Sequence, residues 1–205
     1  ISCDKVLISI GRKPYTFGLN LDEAGVQTDS KGFIITKDNF QTSAENIFAI
    51  GDCKLGPMLA HKASEEGTAL AEIIVGQVGH VNFDTIPSVV YTAPEVASVG
   101  KTEEELKSLG LKYKVGKFPF TANAKAKVMH ETLGFVKILS DANSDKVLGV
   151  HMIGPDVGNM IAELALAMEF GASSEDIART CHAHPTLTES IKEAALNVEK
   201  RAIHI

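Results

Sequence analysis

The chain contains, in order, Gly134-Phe-Val-Lys-Ile-Leu-Ser140, Asp141-Ala-Asn-Ser-Asp145 and Lys146-Val-Leu-Gly-Val-His-Met-Ile153. The two outer segments are rich in branched apolar residues, and the segment between them has the composition of a turn, so together they predict an antiparallel hairpin. Apolar residues then recur at helical spacing up to Gly171: Val157, Met160, Ile161, Leu164 and Met168. This stripe predicts an amphipathic helix directly after the hairpin.

Further helix and strand signals are found before and after the hairpin. Thr102-Glu-Glu-Glu105 and Thr186-Leu-Thr-Glu189 have the composition of capping boxes, and each is expected to open a helix. The parity of the apolar residues changes along the stretch from Tyr113 to Phe120, which predicts one strand with a bulge at Gly116. Strands followed by helices indicate an α+β domain.

The N-terminal region has a different pattern. The apolar run Val6–Ile10 stops at a glycine and predicts a buried parallel strand. Because such a strand needs neighbours on both sides, we expect that the chain is the later part of a longer protein. Short strands are predicted around Phe33–Ile35 and Ile47–Ile50. A helix follows from about Met58 to Val75, and its predicted apolar face consists of Ala63, Gly67, Leu70 and Ile74.

Composition excludes several classes of protein. The 205 residues carry a formal net charge of −6, and 44% of them are hydrophobic. An acidic chain lacks the basic face that nucleic-acid phosphates require, and no stretch approaches the roughly 20 apolar residues of a membrane span. The three cysteines are far apart and form no CxxC pair, which argues against a disulfide scaffold and favours a reducing, intracellular setting. We therefore expect neither a nucleic-acid partner nor a membrane.

A first candidate site is the turn Gly51-Asp52 with the segment Pro57-Met-Leu-Ala-His61. A carboxylate just beyond the C-terminal end of a buried strand lies where open α/β sheets bind ligands, and it could accept hydrogen bonds from ribose or ribityl hydroxyls. Unpaired N–H groups at the start of the following helix favour an anion or a polar ring edge. The alternative interpretation is a strand-ending turn with a solvated Asp52, followed by a surface His61 in an ordinary helix.

A second candidate site is Cys181-His-Ala-His-Pro-Thr-Leu-Thr-Glu189. Pro185 keeps His184 out of a helical conformation, shortly before Glu189. A carboxylate that contacts an imidazole orients the ring and raises its basicity, which is the arrangement of an acid–base pair. Two alternatives remain open: Glu189 only caps the last helix, or the Cys and His residues of the segment bind zinc. No second ligand cluster lies nearby in the sequence, so we expect no metal.

Five segments of the chain match motifs of one enzyme family. They are Ser9-Ile-Gly-Arg-Lys-Pro14, Asn46-Ile-Phe-Ala-Ile-Gly-Asp52, Gly56-Pro-Met-Leu-Ala-His-Lys62, Val115-Gly-Lys-Phe-Pro-Phe120 and Cys181-His-Ala-His-Pro-Thr186. With these motifs the chain resembles the dihydrolipoamide dehydrogenase family, a branch of the flavin-dependent pyridine-nucleotide disulfide oxidoreductases. The Gly-Asp and His-Pro-Thr elements are shared across that superfamily, whereas Pro-Met-Leu-Ala-His and Cys-His-Ala-His-Pro-Thr look specific to the lipoamide branch. The resemblance covers the whole chain and implies the C-terminal part, under half, of such an enzyme.

The resemblance implies a fold class of α/β followed by α+β. Residues 1–12 would be the tail of an NAD-binding domain, and residues 13–80 the C-terminal part of a Rossmann-like FAD-binding domain. Residues 81–205 would form an α+β dimerisation domain with an antiparallel sheet. In this family that domain makes the homodimer interface, and its His acts in the partner subunit's active site. Apolar stripes such as the one that begins at Val157 must be buried, which also favours an interface.

The resemblance also implies roles for single residues. Gly11 would contact NAD, and Asp52 would bind the ribityl chain of FAD. The flavin ring would be lined by Met58, Leu59, Ala60 and His61. His184 would be the catalytic proton acceptor, and Glu189 would orient it. The peptide bond between His184 and Pro185 is expected to be cis.

The implied activity of the whole enzyme is oxidation of protein-bound dihydrolipoamide through a redox disulfide and FAD, with reduction of NAD+ to NADH. Its partners would be the lipoyl-bearing subunits of 2-oxoacid dehydrogenase complexes, in the mitochondrial matrix of a eukaryote or the cytoplasm of a bacterium. The chain has no Gly-rich phosphate loop and no closely spaced cysteine pair, so we expect it to be inactive alone. Two alternatives remain: a related flavin disulfide reductase with another thiol substrate, and a non-catalytic dimerisation module.

Overall fold

A computed structural model describes all residues from 1 to 205, and the chain divides into two units, Ile1–Val81 and Asn82–Ile205. None of the helices is both long enough and apolar enough to cross a lipid bilayer.

The second unit is built on a five-stranded antiparallel sheet. Its strands are β1 (Ser88–Val90), β2 (Glu95–Gly100), β3 (Tyr113–Pro119), β4 (Phe135–Asp141) and β5 (Val147–Gly154), in the spatial order β1-β2-β5-β4-β3. The predicted hairpin is confirmed as β4 and β5, which are joined through the turn at 142–146. An antiparallel sheet with segregated helices is the α+β arrangement that the sequence predicts, but only α4, α5 and α6 follow the sheet, whereas α2 and α3 lie between its strands.

Five helices accompany the sheet of the second unit. They are α2 (Glu103–Ser108), α3 (Ala124–Met129), α4 (Val157–Glu169), α5 (Ser174–Arg179) and α6 (Glu189–Val198). The capping box predicted for α2 is confirmed, because the Thr102 hydroxyl accepts the Glu105 N–H and the Glu105 carboxylate accepts the Thr102 N–H. Helix α4 packs on β2 and β5, and α6 packs on β3 and β4.

The apolar stripe of α4 is buried inside the second unit. Its five predicted members lie in the core with the sheet and α6, and Val157 and Leu164 are 0% exposed. The expectation that this stripe helps to form a dimer interface is therefore wrong. The core of a single chain already removes these side chains from water, so a dimer needs other surfaces.

Gly116 lies in a regular part of β3, so the predicted bulge there is wrong. Residues of β3 pair one to one with β4 along the whole strand, and the register shift lies between Leu139 and Ser140 of β4. A Cβ atom at Gly116 would lie 2.0 Å from the carbonyl oxygen of Ala194 in α6. The glycine therefore permits α6 to approach the sheet closely.

The first unit contains one α-helix, α1 (Ala60–Ile74), in the region where a helix is predicted. The predicted strands in this unit appear only as isolated bridges, at Ile34 and Phe48. The predicted strand Val6–Ile10 does not form, and its apolar side chains are between 77% and 94% exposed. A strand is stable only with neighbours that pair with it and cover its faces, and residues 1–81 supply none for this segment.

Candidate functional site

The loop before α6 brings His184 and Glu189 into contact. His184 Nδ1 lies 2.9 Å from Glu189 Oε1, and the peptide bond between His184 and Pro185 is cis, as expected. A carboxylate can only accept, so Nδ1 carries the hydrogen, and Nε2 of the neutral ring is then an acceptor. Nε2 makes no hydrogen bond within the chain, and the His184 side chain is 70% exposed. The second ring nitrogen can therefore meet a ligand from outside.

Glu189 uses both of its carboxylate oxygens. Its Oε2 accepts the backbone N–H of Thr186 at 2.9 Å, while Oε1 contacts His184. Glu189 therefore makes both of the contacts that were considered for it, to the Thr186 N–H and to the His184 ring. The capping box predicted at Thr186 is wrong, because α6 begins at Glu189 after the N-cap Thr188, which gives no side-chain cap, and the Thr186 hydroxyl donates to the Ala183 carbonyl instead. Burial would raise the pKa of Glu189, but the hydrogen bonds from Thr186 and His184 outweigh it and hold that pKa below its ordinary value. Glu189 is thus ionised at neutral pH and can stabilise positive charge on His184.

Asn123 ties this loop to α3, and the sequence analysis missed it. Its Nδ2 donates to the Thr186 carbonyl at 3.0 Å and lies 2.9 Å from Ser190 Oγ, while its Oδ1 accepts the Ala126 N–H at 2.9 Å. The side chain is buried, so its three bonds act in a medium where an unpaired amide is costly. An asparagine before a short helix is a signal for an N-cap, but that signal does not reveal the partner across the domain.

A second His–Glu pair borders the same site. Glu193, one turn after Glu189 in α6, lies 2.7 Å from Nδ1 of His204 through its Oε1. Both pairs line a small cavity of about 90 Å³ beside Asn123. The sequence gives no signal for this pair, because the end of α6 lies between its members and the chain must reverse direction to join them.

The zinc alternative for residues 181–184 finds no set of ligands. The structure contains no group of three or more His, Cys, Asp or Glu residues able to hold a metal ion. Cys181 is an exposed free thiol, and Nε2 of His182 lies 2.8 Å from Glu163 Oε1.

In the first unit, Asp52 lies in a short 3-10 turn, Gly51–Cys53. Its carboxylate is 3.8 Å from Arg12 Nε, and the Asp52 side chain is 43% exposed. A half-exposed carboxylate with a single distant cation keeps acceptor sites for hydroxyl groups. Gly11, beside Arg12 in the chain, has a φ of +135°, a backbone conformation that favours glycine.

Helix α1 begins without a side-chain cap. Its N-cap residue Leu59 provides no side-chain hydrogen bond, and the first turn contains no acidic residue. Met58 and Leu59 are partly buried, whereas Ala60 and His61 are exposed. A helix start without a side-chain cap and the carboxylate of Asp52 fit the polar ring edge and the hydroxyl chain of a flavin nucleotide.

A buried charge cluster lies behind the Gly51 turn, and it too was missed by the sequence analysis. Glu66 is 0% exposed, and its Oε2 accepts the N–H of Gly51 at 2.6 Å. Its Oε1 lies 3.0 Å from Lys54 Nζ and 3.2 Å from Lys62 Nζ. Lys62, which is 1% exposed, also donates to the Gly51 carbonyl at 3.3 Å. Both backbone polar groups of Gly51 are therefore held by side chains of α1.

The buried face of α1 differs from the predicted one. Its buried residues are Lys62, Glu66 and Ala69, whereas the predicted apolar face consists of Ala63, Gly67, Leu70 and Ile74. Burial would raise the pKa of Glu66, but hydrogen bonds from Gly51 and the two lysines outweigh it and lower that pKa. A search for apolar periodicity cannot find a face whose charges pair with each other. The available signal was the spacing of Lys62 and Glu66, because residues four apart on a helix are neighbours.

Comparison with known families agrees with the motif resemblance. Residues 86–195 match the family model described as the dimerisation domain of pyridine nucleotide-disulphide oxidoreductase. Residues 1–67 match the model described as pyridine nucleotide-disulphide oxidoreductase. The chain therefore belongs to the pyridine nucleotide-disulphide oxidoreductases, and the predicted family and fold class are confirmed.

Individual proteins of known function and structure are similar to this chain over nearly all of its length. It is 55% identical over 205 residues to the mitochondrial dihydrolipoyl dehydrogenase of Pisum sativum, covering 100% of this chain and 41% of that protein. It is 54% identical over 205 residues to dihydrolipoyl dehydrogenase 3 of Pseudomonas putida, covering 100% and 44%. Among solved structures, LpdA from Mycobacterium tuberculosis matches with a TM-score of 0.85 and 29% identity, covering 92% of this chain and 41% of that one. The chain spans less than half the length of these relatives.

Proposed function

We propose that the protein containing this chain is an NAD-dependent dihydrolipoyl dehydrogenase, with His184 as the base for the dihydrolipoyl thiols. The observation that carries the proposal is the His184–Glu189 contact of 2.9 Å in a chain that is 55% identical to a dihydrolipoyl dehydrogenase. The cofactors would be FAD and NAD, and the partners the lipoyl-bearing subunits of 2-oxoacid dehydrogenase complexes. The setting would be the mitochondrial matrix in a eukaryote and the cytoplasm in a bacterium.

The chemistry of thiols explains why such an enzyme needs the His184–Glu189 pair. Only a thiolate attacks a disulfide, and a thiol with a pKa of about 8.5 is mostly protonated at neutral pH. Nε2 of His184 can take that proton, and the ionised Glu189 stabilises the imidazolium that results. FAD, when bound, would supply the electron transfer between the reduced thiol pair of the redox disulfide and NAD+.

The first unit would contribute to cofactor binding. Asp52 would accept hydrogen bonds from the ribityl hydroxyls of FAD, and Gly11 would contact NAD. Met58, Leu59, Ala60 and His61 would line the flavin ring. The support is the start of α1, which has no side-chain cap, together with the two hydrogen bonds from Glu66 and Lys62 that hold Gly51 in place. A carboxylate on a pre-organised turn loses little conformational freedom when it binds.

The activity is tested with the full-length protein purified with its flavin. We expect dihydrolipoamide to reduce NAD+, followed as NADH formation, and reduced glutathione to give no comparable rate. The 205-residue chain alone is the control, and it should give no turnover because it has no phosphate loop and no closely spaced cysteine pair. A faster reaction with a different thiol would instead support a related disulfide reductase.

We also propose that the full-length protein is a homodimer through residues 81–205. The support is the match of residues 86–195 to a dimerisation domain, since the α4 stripe no longer argues for it. Stable homodimers bury large areas, so we expect light scattering at micromolar concentration to return twice the mass of one chain. A monomer mass under these conditions would contradict the proposal.

A further inference from the structure

His182 lies two residues before His184 in the same loop, and the proposed reaction does not use it. Its side chain is only 5% exposed. Nε2 of the ring lies 2.8 Å from Glu163 Oε1 in α4, and Nδ1 lies 3.0 Å from the carbonyl oxygen of Thr180. Each ring nitrogen of this buried histidine therefore has its own partner.

Both partners of the ring can only accept hydrogen bonds. A neutral imidazole carries a single N–H and could satisfy only one of them, whereas an imidazolium donates to both. The geometry therefore favours the doubly protonated ring. The hydrogen bond to Glu163 raises the pKa of His182, against the opposing effects of burial and of the Lys192 charge. Glu163 from α4 and Lys192 from α6 are the charged groups that face the ring.

These contacts connect the loop to two helices. Lys192 Nζ in α6 donates to the same Thr180 carbonyl at 2.8 Å. The start of the loop is thereby joined to α4 through Glu163 and to α6 through Lys192. His184 makes one side-chain hydrogen bond, to Glu189, so the position of its free Nε2 depends on where the loop backbone lies.

We propose that His182 is a positioning residue, which as an imidazolium holds the loop 180–184 against α4 and α6 and so places His184 Nε2 for proton transfer. The inference rests on the proposed role of His184. Because the pKa of His182 is raised on folding, its contribution is complete at low pH and is lost as the pH rises through the folded value. Above that pH the ring carries only one N–H, so one of its two acceptors, Glu163 Oε1 or the Thr180 carbonyl, faces a nitrogen lone pair. The loop then loses one of its hydrogen bonds.

The test measures flavin reduction by dihydrolipoamide, by stopped flow over a range of pH, in the full-length holoenzyme. We expect His182→Gln to be about 10-fold slower at neutral pH, because a small displacement of a catalytic group is costly. In the unmodified enzyme we expect the rate to fall as the pH rises through the pKa of His182. The glutamine in His182→Gln does not titrate, so this fall should be absent from the variant. Glu163→Gln keeps an acceptor oxygen but removes the charge, so it should move the alkaline loss to lower pH.

A matched control is His130→Asn. His130 is exposed at the end of α3 in the left-handed conformation, which asparagine adopts readily, and its replacement should leave the rate and the pH profile unchanged. Flavin reduction by NADH should be normal in every variant, which shows that the fold and the cofactor are intact.

The possible outcomes separate this inference from the function on which it rests. A normal rate and profile in His182→Gln, or an equal loss of rate at every pH in both variants, would overturn the positioning role. If His184→Gln is slow while His182→Gln is not, only the inference about His182 fails. If dihydrolipoamide does not reduce the unmodified enzyme, both the proposed function and the inference fail. Should His182→Gln not fold, the pH shift in Glu163→Gln decides the question.

Discussion

Replacing His184 with glutamine in the full-length protein is expected to lower turnover with dihydrolipoamide by roughly 10² to 10⁴, the usual span for loss of a general base. The amide cannot take the thiol proton at neutral pH, whereas Nε2 of His184 is free and the ring is held by Glu189. Stopped-flow reduction of the enzyme by dihydrolipoamide measures the step directly. Flavin content and flavin reduction by NADH should be unchanged, because neither requires this base.

Glu189→Gln serves as the graded comparison for the same prediction. Glutamine offers only one acceptor oxygen, so either the His184 Nδ1–H or the Thr186 N–H loses its partner. The imidazole itself remains, and we therefore expect a smaller loss of rate than in His184→Gln. A His184→Gln enzyme that dihydrolipoamide reduces at the normal rate would refute the catalytic assignment. Loss of flavin and of stability in that variant, with a normal thiol reaction, would indicate a purely structural histidine.

The second large effect is expected for Glu66→Gln. Glu66 is fully buried, and its carboxylate forms ion pairs with both Lys54 and Lys62 while it accepts the Gly51 N–H. The neutral amide removes the negative charge that both ammonium groups contact, and removal of one partner of a buried ion pair costs about 3–5 kcal/mol. We expect a large fall in the melting temperature and loss of flavin from the purified full-length protein, because the turn that carries Asp52 is no longer held.

Glu65→Gln is the matched control, because Glu65 is the exposed neighbour of Glu66 on the same helix. This substitution should change neither the melting temperature nor the flavin content. The pKa of Glu66 is lowered from 4.5, so its charge contributes stability above that pH and the contribution is lost as the pH falls through the folded value. The difference between Glu66→Gln and the unmodified protein should therefore shrink in acid. Equal stability of the two at neutral pH would show that the cluster does not support the turn.

Local patterns were sufficient for several parts of the molecule. The hairpin of β4 and β5, the helix α4 and the capping box at Thr102 depend on residues that are close in sequence, and periodicity and turn composition describe such residues well. The contact between His184 and Glu189 also falls within one loop and the first turn of one helix. The sequence therefore indicated the contact between these two residues before any tertiary contact was known, and their roles as base and orienting carboxylate stay a prediction.

Tertiary structure alone decided which buried polar groups support the candidate sites. Asn123, Glu163 and Lys192 reach the loop of His184 from three different helices or their caps, and hydrogen-bond partners that lie far apart in sequence leave no periodic signal. The role of Gly116 also depends on tertiary structure. The need for a residue without a side chain follows from the backbone of α6, which comes close to Gly116 only in the folded domain. A prediction from apolar patterning assumes that charged side chains stay in water, because their transfer out of water is unfavourable. It therefore places Lys62 and Glu66 on the surface. Their burial follows from mutual neutralisation and from bonds to Gly51, which exist only once the helix lies on the turn.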